Sequence, residues 1–392
     1  MKKLAIITTH PIQYNAPLFR LLCERKQIAV KVFYTWGQSA DAVFDARFGI
    51  ERSWDIPLLK GYDYEFVKNS SKHPDSNRFW GIINPGLLRQ LKNEQYDAVL
   101  IYRWSVWSHF YLMQKLRRQP KLLFRGDSTL VNKKRSIVSF FKNILFQFVY
   151  RNVQTAFAVG AHNKVYLLKC GLKEKQIRIA PHAVDNKRFA EHEDAMEQRA
   201  LEERRLMGIE DNALVFQYAG KFYGLKQLDI LIKAFQQTTE TGFQLLLTGN
   251  GEDEAYLKSL AASDSRILFQ SFKNQSAMPW VYRMGDVFVL PSKSETWGLG
   301  VNEAMACGRP AIVSSNCGCA PDLIINNKTG YVFKTGNIIA LKKCLELFQN
   351  REGARQMKQS VKEHIAEFSL QRVAEAIERG VMNDERGEMS ED

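Results

Sequence analysis

Long hydrophobic runs are what this sequence most plainly lacks. No stretch of its 392 residues approaches the roughly 18 apolar residues in a row that a spanning helix needs. The opening MKKLAIITTHPIQY holds two lysines and a short apolar stretch, but His10 and Pro11 cut it and no small-residue cleavage site follows. It reads as a first strand, not a signal peptide. Cysteine is sparse and scattered. Of the six, only Cys317 and Cys319 lie close, with no histidine pair at metal spacing beside them. That excludes a zinc cluster of the usual spacing, and the chain is too large to need a disulfide scaffold. A reduced, cytoplasmic protein is expected. The first strand leads into Thr9–Asn15 (THPIQYN) where a dinucleotide fold would carry G-x-G-x-x-G, and no acidic residue follows at the expected place. Short repeats, low-complexity blocks and nucleic-acid motifs are missing as well.

What remains is ordinary globular material in a suggestive order. With 45% hydrophobic and 25% charged residues, the chain suits two α/β domains of roughly 150–200 residues each. Its net charge of +13 is unevenly spread. Residues 1–150 hold 24 Lys and Arg against 11 Asp and Glu, so the remainder is neutral. A basic first half suits an anionic neighbour, such as phospholipid headgroups, a phosphorylated acceptor or nucleic acid, or simply serves solubility.

Short β-rich runs alternate with amphipathic stretches through that first half. Strands are expected at 4–10, 28–34, 98–103, 121–127, 155–160 and 177–183, with helices at 16–25, 107–117, 135–150 and 161–170 between them. From Asn186 to Gly208 the sequence is rich in Glu and Arg and reads as a linker running into a solvated helix. The rhythm then restarts, with strands at 214–219, 243–249, 267–272, 287–291 and 311–315. The expected domains are residues 1–185 and 186–365. A C-terminal helix at 366–381 crosses back to the first domain, and an acidic, disordered tail covers 382–392.

The most informative stretch is VFVLPSKSETWGLGVNEAMACGRPAIVSSNCGCAPDLI, from Val287 to Ile324. A buried strand ends at Pro291, a polar loop carries Glu295, and Gly298 and Gly300 open a helix containing Glu303. Glycines at a helix start let free N–H groups approach an anion such as a diphosphate. Both glutamates suit hydrogen bonds from sugar hydroxyls, although either alone is an unremarkable surface residue. A second cluster, YAGKFYGLKQLDILIKAF from Tyr218, places Lys221 directly after a strand and Lys226 at the start of a helix. Two such point charges can neutralise a diphosphate without a metal ion.

These pieces resemble the family-four retaining glycosyltransferases of GT-B fold, the glycosyl transferases group 1. Glu295 and Glu303 match the E-x7-E motif, and Gly220, Lys221 and Lys226 match a G-K-x4-K turn. LTGNGEDE (247–254), EAMACGRPAI (303–312) and Gly318–Asp322 also match, with Asp322 where the family usually carries Glu. The likeness covers residues 176–345 well and the first half loosely. It implies two Rossmann-like α/β/α domains facing across a cleft. Lys221 and Lys226 would bind the donor diphosphate, Glu295 the transferred sugar and Glu303 the ribose. Gly220 and Gly298 shape the turns, and the backbone at Leu299 and Gly300 completes the phosphate site.

The resemblance further implies no metal and no cofactor beyond the nucleotide-sugar donor, which agrees with the lack of a D-x-D pair. The base is expected against the backbone of 272–274, and a UDP-sugar is favoured. The implied acceptor is a saccharide or lipid-linked saccharide in bacterial cell-surface polysaccharide or lipopolysaccharide synthesis.

The first half departs from the family twice. A glycine-rich loop is replaced by His10–Asn15, and the place of a donor-contacting histidine reads Phe124–Ser128. Asp127 or Arg125 is therefore the candidate catalytic partner of Glu295, while Asp127 as a local cap is the plain alternative. His10, Gln13, Asn15 and Trp104 are the acceptor-side candidates, with Trp107 and Tyr111 adding aromatic surface. Lys133–Arg135 precedes an apolar, aromatic helical segment, so 133–150 suits either an anionic bilayer surface or a core-facing helix. Peripheral attachment to the inner face of the plasma membrane is the expectation, with no nucleic-acid partner. The competing readings are a catalytically inactive GT-B subunit and another GT-B sugar-nucleotide enzyme such as an epimerase.

Overall fold

The computed structural model describes residues 1–36, 43–45, 50–52, 54–117, 119–131 and 137–382, without the side chains of 43–45, 50–52 and 137–143. Two compact units emerge. The first comprises Met1–Ala42, Pro57–His182 and Leu370–Asp392, and the second Val43–Ile56 and Ala183–Ser369.

After β1 (Lys3–Thr8) and β2 (Ala29–Tyr34) comes a short antiparallel pair, β3 (Val43–Asp45) and β4 (Ile50–Arg52). Then follow β5 (Asp63–Phe66), β6 (Ala98–Tyr102), β7 (Lys121–Arg125), β8 (Thr155–Ala158) and β9 (Ile177–Ile179). The first unit is built on the parallel sheet β5-β2-β1-β6-β7-β8-β9. Its central strands are apolar end to end because helices cover both faces of a parallel sheet. Leu4 to Ile7 and Ala98 to Ile101 are fully buried, and Leu122 to Phe124 almost so. The helix Leu370–Met382 also belongs to this unit, with Val373, Ala374, Ile377 and Val381 buried.

The second unit repeats the plan with β10 (Leu214–Ala219), β11 (Phe243–Thr248), β12 (Ile267–Gln270), β13 (Val287–Leu290), β14 (Ala311–Ser314) and β15 (Gly330–Phe333). Their order is β12-β11-β10-β13-β14-β15, all parallel. In both sheets the chain works outward from a central strand and then reverses direction. The reversal lies between β1 and β6 in one unit and between β10 and β13 in the other. Adjacent strands whose connections run opposite ways leave a crevice beyond their carboxyl ends, where ligands of such sheets bind.

Sequence pattern and structure part company in the charge-rich stretch after 185. It is not a linker. Asp185 caps a helix Asn186–Ala190 by accepting from the Arg188 N–H, and a second helix spans Glu193–Leu206. The second helix is largely solvated, as expected, but part of its charge is turned inward. The Arg204 guanidinium is buried, donating to Asp286 at 3.2 Å and to the Ala213 carbonyl at 2.6 Å, while Glu197 receives Arg309 at 2.7 Å. Composition alone reads those side chains as solvated, because a buried ion pair and an exposed one look alike in a sequence. Strands β5 and β15 were also missed, each only four residues long at a sheet edge. The expected tail at 383–392 and the basic run 133–135 lie outside the described residues.

Candidate functional site

Around the reversal between β10 and β13, the loops after β10, β11, β13 and β14 leave the same carboxyl edge of the second sheet. The first follows β10, where Gly220 has φ 152°. Its path is braced by the neighbouring loop: the Gly220 N–H donates to Thr248 at 3.0 Å and the Phe222 N–H to Asn250 at 2.8 Å. The contact is close enough that a Cβ on Gly249 would sit 1.9 Å from the Gly220 carbonyl oxygen. The Tyr218 hydroxyl donates to the Lys221 carbonyl at 2.9 Å, and a turn of 3-10 helix, Gly224–Lys226, brings Lys226 round.

The loop after β13 is braced in turn by the one after β14. Glu295 N–H donates to Asn316, Gly318 N–H to Glu295, and Cys319 N–H to Trp297, at 3.0–3.2 Å. Held this way, Glu295 forms an ion pair with Lys226 across the reversal point. Both are mostly buried, with side-chain exposures of 15% and 23%. Gly298 follows with φ 110°, a conformation that side chains with a Cβ resist, and starts the helix Leu299–Ala306. The first N–H groups of a helix lack intrahelical acceptors and carry the positive end of its dipole. An anion at Leu299 and Gly300 would meet both.

One turn into that helix, Glu303 is 3% exposed. Its Oε2 accepts the Tyr282 hydroxyl at 2.6 Å, while Oε1 is buried without a hydrogen-bond partner. Burial pushes its pKa up to about 7, against the opposing pull of the Tyr282 hydroxyl and the Arg188 charge. Sequence reasoning named the glutamate but missed Tyr282 and Arg188. The only advance signal was a tyrosine in the helix preceding β13 and an arginine beside Phe189, neither informative without the contacts.

In the first unit, the carboxyl edge between β1 and β6 gathers most of the other candidates. His10 contacts the Thr9 hydroxyl at 3.0 Å and meets the Trp36 ring edge-on at 5.5 Å; burial and then the Arg103 charge hold its pKa down. Asn15 is the cap residue of the helix Ala16–Arg25, and Gln13 lies in the turn before it. Trp104 packs against the core and the Phe146 ring at 5.7 Å. Arg125 is buried, its guanidinium donating to the Ala180 and Pro181 carbonyls at 2.6 and 3.1 Å. Asp127 is exposed, and its charge is felt by Arg103, Arg125 and His182. The sequence reading passed over His182, whose pKa burial and then Arg125 push down to about 3 against the pull of Asp127, so it is neutral at physiological pH.

Residues 201–364 match the family model described as glycosyl transferases group 1. The match falls within the second unit. Among curated relatives, the N-acetyl-alpha-D-glucosaminyl L-malate synthase of Bacillus anthracis is 27% identical over 188 residues, 46% of this chain and 49% of its own. The chain thus spans about half the length of the curated relatives it matches. Solved structures extend the likeness to both units. The sucrose-phosphate synthase of Thermosynechococcus elongatus superposes with a TM-score of 0.72 at 19% identity, covering 96% of this chain and 97% of its own. Anabaena HepE, solved with UDP and glucose, gives 0.69 at 13% identity, covering 98% and 100%. At such identities the agreement speaks for the fold, which is GT-B.

Proposed function

We propose that this protein is a retaining, metal-independent glycosyltransferase. It moves a sugar from a nucleotide-diphosphate donor, a UDP-sugar in the first instance, to a saccharide or lipid-linked saccharide at the inner membrane face. Its setting is the assembly of a bacterial cell-surface polysaccharide. The observation that carries the reading is the convergence, at the β10/β13 reversal, of Lys226, Glu295, a glycine-started helix and a buried glutamate with one unpartnered oxygen.

That arrangement suits a leaving diphosphate. As the glycosidic bond breaks, positive charge grows on the sugar and negative charge on the phosphate, and preset charges stabilise both. Lys221, Lys226 and the helix start supply the positive field for the diphosphate. Lys226 is paired with Glu295 in this structure, so a donor diphosphate exchanges for the carboxylate and frees Glu295 to accept hydroxyls of the transferred sugar. Glu303 takes the ribose, and Asp127 is the catalytic candidate that the first unit carries. HepE, of the same fold, was solved with UDP, which supports the choice of nucleotide.

A thermal-shift panel of UDP, GDP, ADP and their glucose esters in EDTA tests this. A ligand that binds only the native state raises its melting temperature by mass action. One nucleotide class should stabilise the wild type and fail to stabilise Lys226→Ala and Glu303→Ala. No shift from any of them would sink the donor site and leave an inactive subunit as the better description.

A further inference from the structure

Glu303 is held from one side only. A buried acceptor left without a donor costs on the order of 1–3 kcal/mol, and more when charged, so the unpartnered Oε1 beside the bonded Oε2 calls for a donor from outside the protein. The helices Asn186–Ala190, Met278–Arg283 and Lys358–Ala366 and strands β13 and β14 pack around the helix that carries it. From these elements the groups that bear on Glu303 are Tyr282 and Arg188, with Cys307 one turn further along its own helix. Arg188 does a second thing. Its guanidinium donates to the Gln275 carbonyl at 2.6 Å and to the Gln275 side chain at 3.0 Å, at the end of the loop that follows β12. One arginine therefore bears on both the carboxylate and the 272–275 loop.

We propose that Tyr282 and Arg188 are positioning residues for the donor's ribose, acting through Glu303. Tyr282 anchors Oε2 and leaves Oε1 as the atom that receives a ribose hydroxyl. Arg188 favours the charged carboxylate and fixes the loop against which the base is expected. The proposal rests on the donor reading given above.

Its consequence is a characteristic pH dependence. A ribose hydroxyl donates best to the charged carboxylate. Affinity is then full above the pH at which Glu303 titrates, about 7, and falls as pH drops through it. Removing a group that favours the charged form moves that fall to higher pH. A residue that only fills space would weaken binding or lower the melting temperature without moving the midpoint.

The test is calorimetric titration of the full chain with UDP-, ADP- and GDP-glucose between about pH 5.5 and 8.5. Their diphosphates are esterified at both ends and hold constant charge across that range. For the ester that binds, wild-type affinity should fall about tenfold per pH unit below the midpoint, as one linked proton requires. Tyr282→Phe should move the midpoint up by about half a unit or more and change the high-pH affinity by less than about threefold. Arg188→Met should move it the same way, with Arg188→Lys restoring most of the wild-type profile. An unmoved midpoint in both Tyr282→Phe and Arg188→Met overturns the positioning role even though the donor binds. Should Tyr282→Phe fail to fold, the Arg188 pair carries the test. Glu303→Gln should bind more weakly and without pH dependence; wild-type binding by that variant would instead overturn the ribose reading itself.

Discussion

Arg125 and Asp127 lie two positions apart at the end of β7, yet their surroundings differ. Arg125 spends its donors on two backbone carbonyls and is buried, whereas Asp127 is exposed beside charged neighbours. Replacing Arg125 with Met strands the Ala180 and Pro181 oxygens, so the expected result is a stability loss of roughly 2 kcal/mol or more. Turnover per folded molecule should be largely kept. Asp127→Asn should do the reverse, with kcat down more than tenfold and the melting temperature close to wild type. Unchanged turnover in Asp127→Asn would remove it from the reacting centre. At this scale the spacing of the sequence pointed to Gly298, the two lysines and the two glutamates, and the structure pairs Lys226 with Glu295, starts a helix after Gly298 and buries Glu303. The sequence was silent on Tyr282 and Arg188, because their meaning lies in contacts between helices that only folding brings together.

Among elements, strands with unbroken apolar runs and flanking glycines were readable, since a parallel sheet covered on both faces demands them. Edge strand β5 was not, as its residues are half or fully exposed and carry no such demand. The helix Ile137–Tyr150 was legible as a helix, but its partners were not. It exposes Ile144, Leu145 and Phe148, and Phe148 adjoins Phe110 on the helix Trp107–Lys115, with ring centroids 6.3 Å apart. Trp107 of that helix stacks on Trp80 at 4.6 Å, and Trp80 is 59% exposed. Arg151 lies over the Phe148 ring at 4.0 Å. Three elements thus combine into one aromatic face with Arg151 beside it, the face that the proposed membrane setting would use. Co-sedimentation with vesicles containing phosphatidylserine should pull down the wild type and weaken with salt. Trp80→Ala with Phe148→Ala should cut the bound fraction at least fivefold. Equal pelleting of that double variant would sink the membrane contact.

For the molecule as a whole, the family match at 201–364 falls within the second unit and leaves the first unmatched. That first unit depends on the far end of the chain. Arg25 donates to both oxygens of Glu378 at 2.8 Å, with Glu378 only 4% exposed, and Val373, Ile377 and Val381 are buried alongside. Burying three such side chains contributes several kcal/mol, at about 1.5–3 kcal/mol each. Two units with separate cores need not unfold in one step. A chain ending at Ser369 should therefore melt earlier in the part that holds the sheet β5-β2-β1-β6-β7-β8-β9. Nucleotide should still raise the melting of the second unit, because every donor-side residue named here lies between 188 and 303. If the truncated chain instead loses the nucleotide-dependent shift altogether, donor binding requires an intact first unit. The donor site could then no longer be described from the second sheet alone.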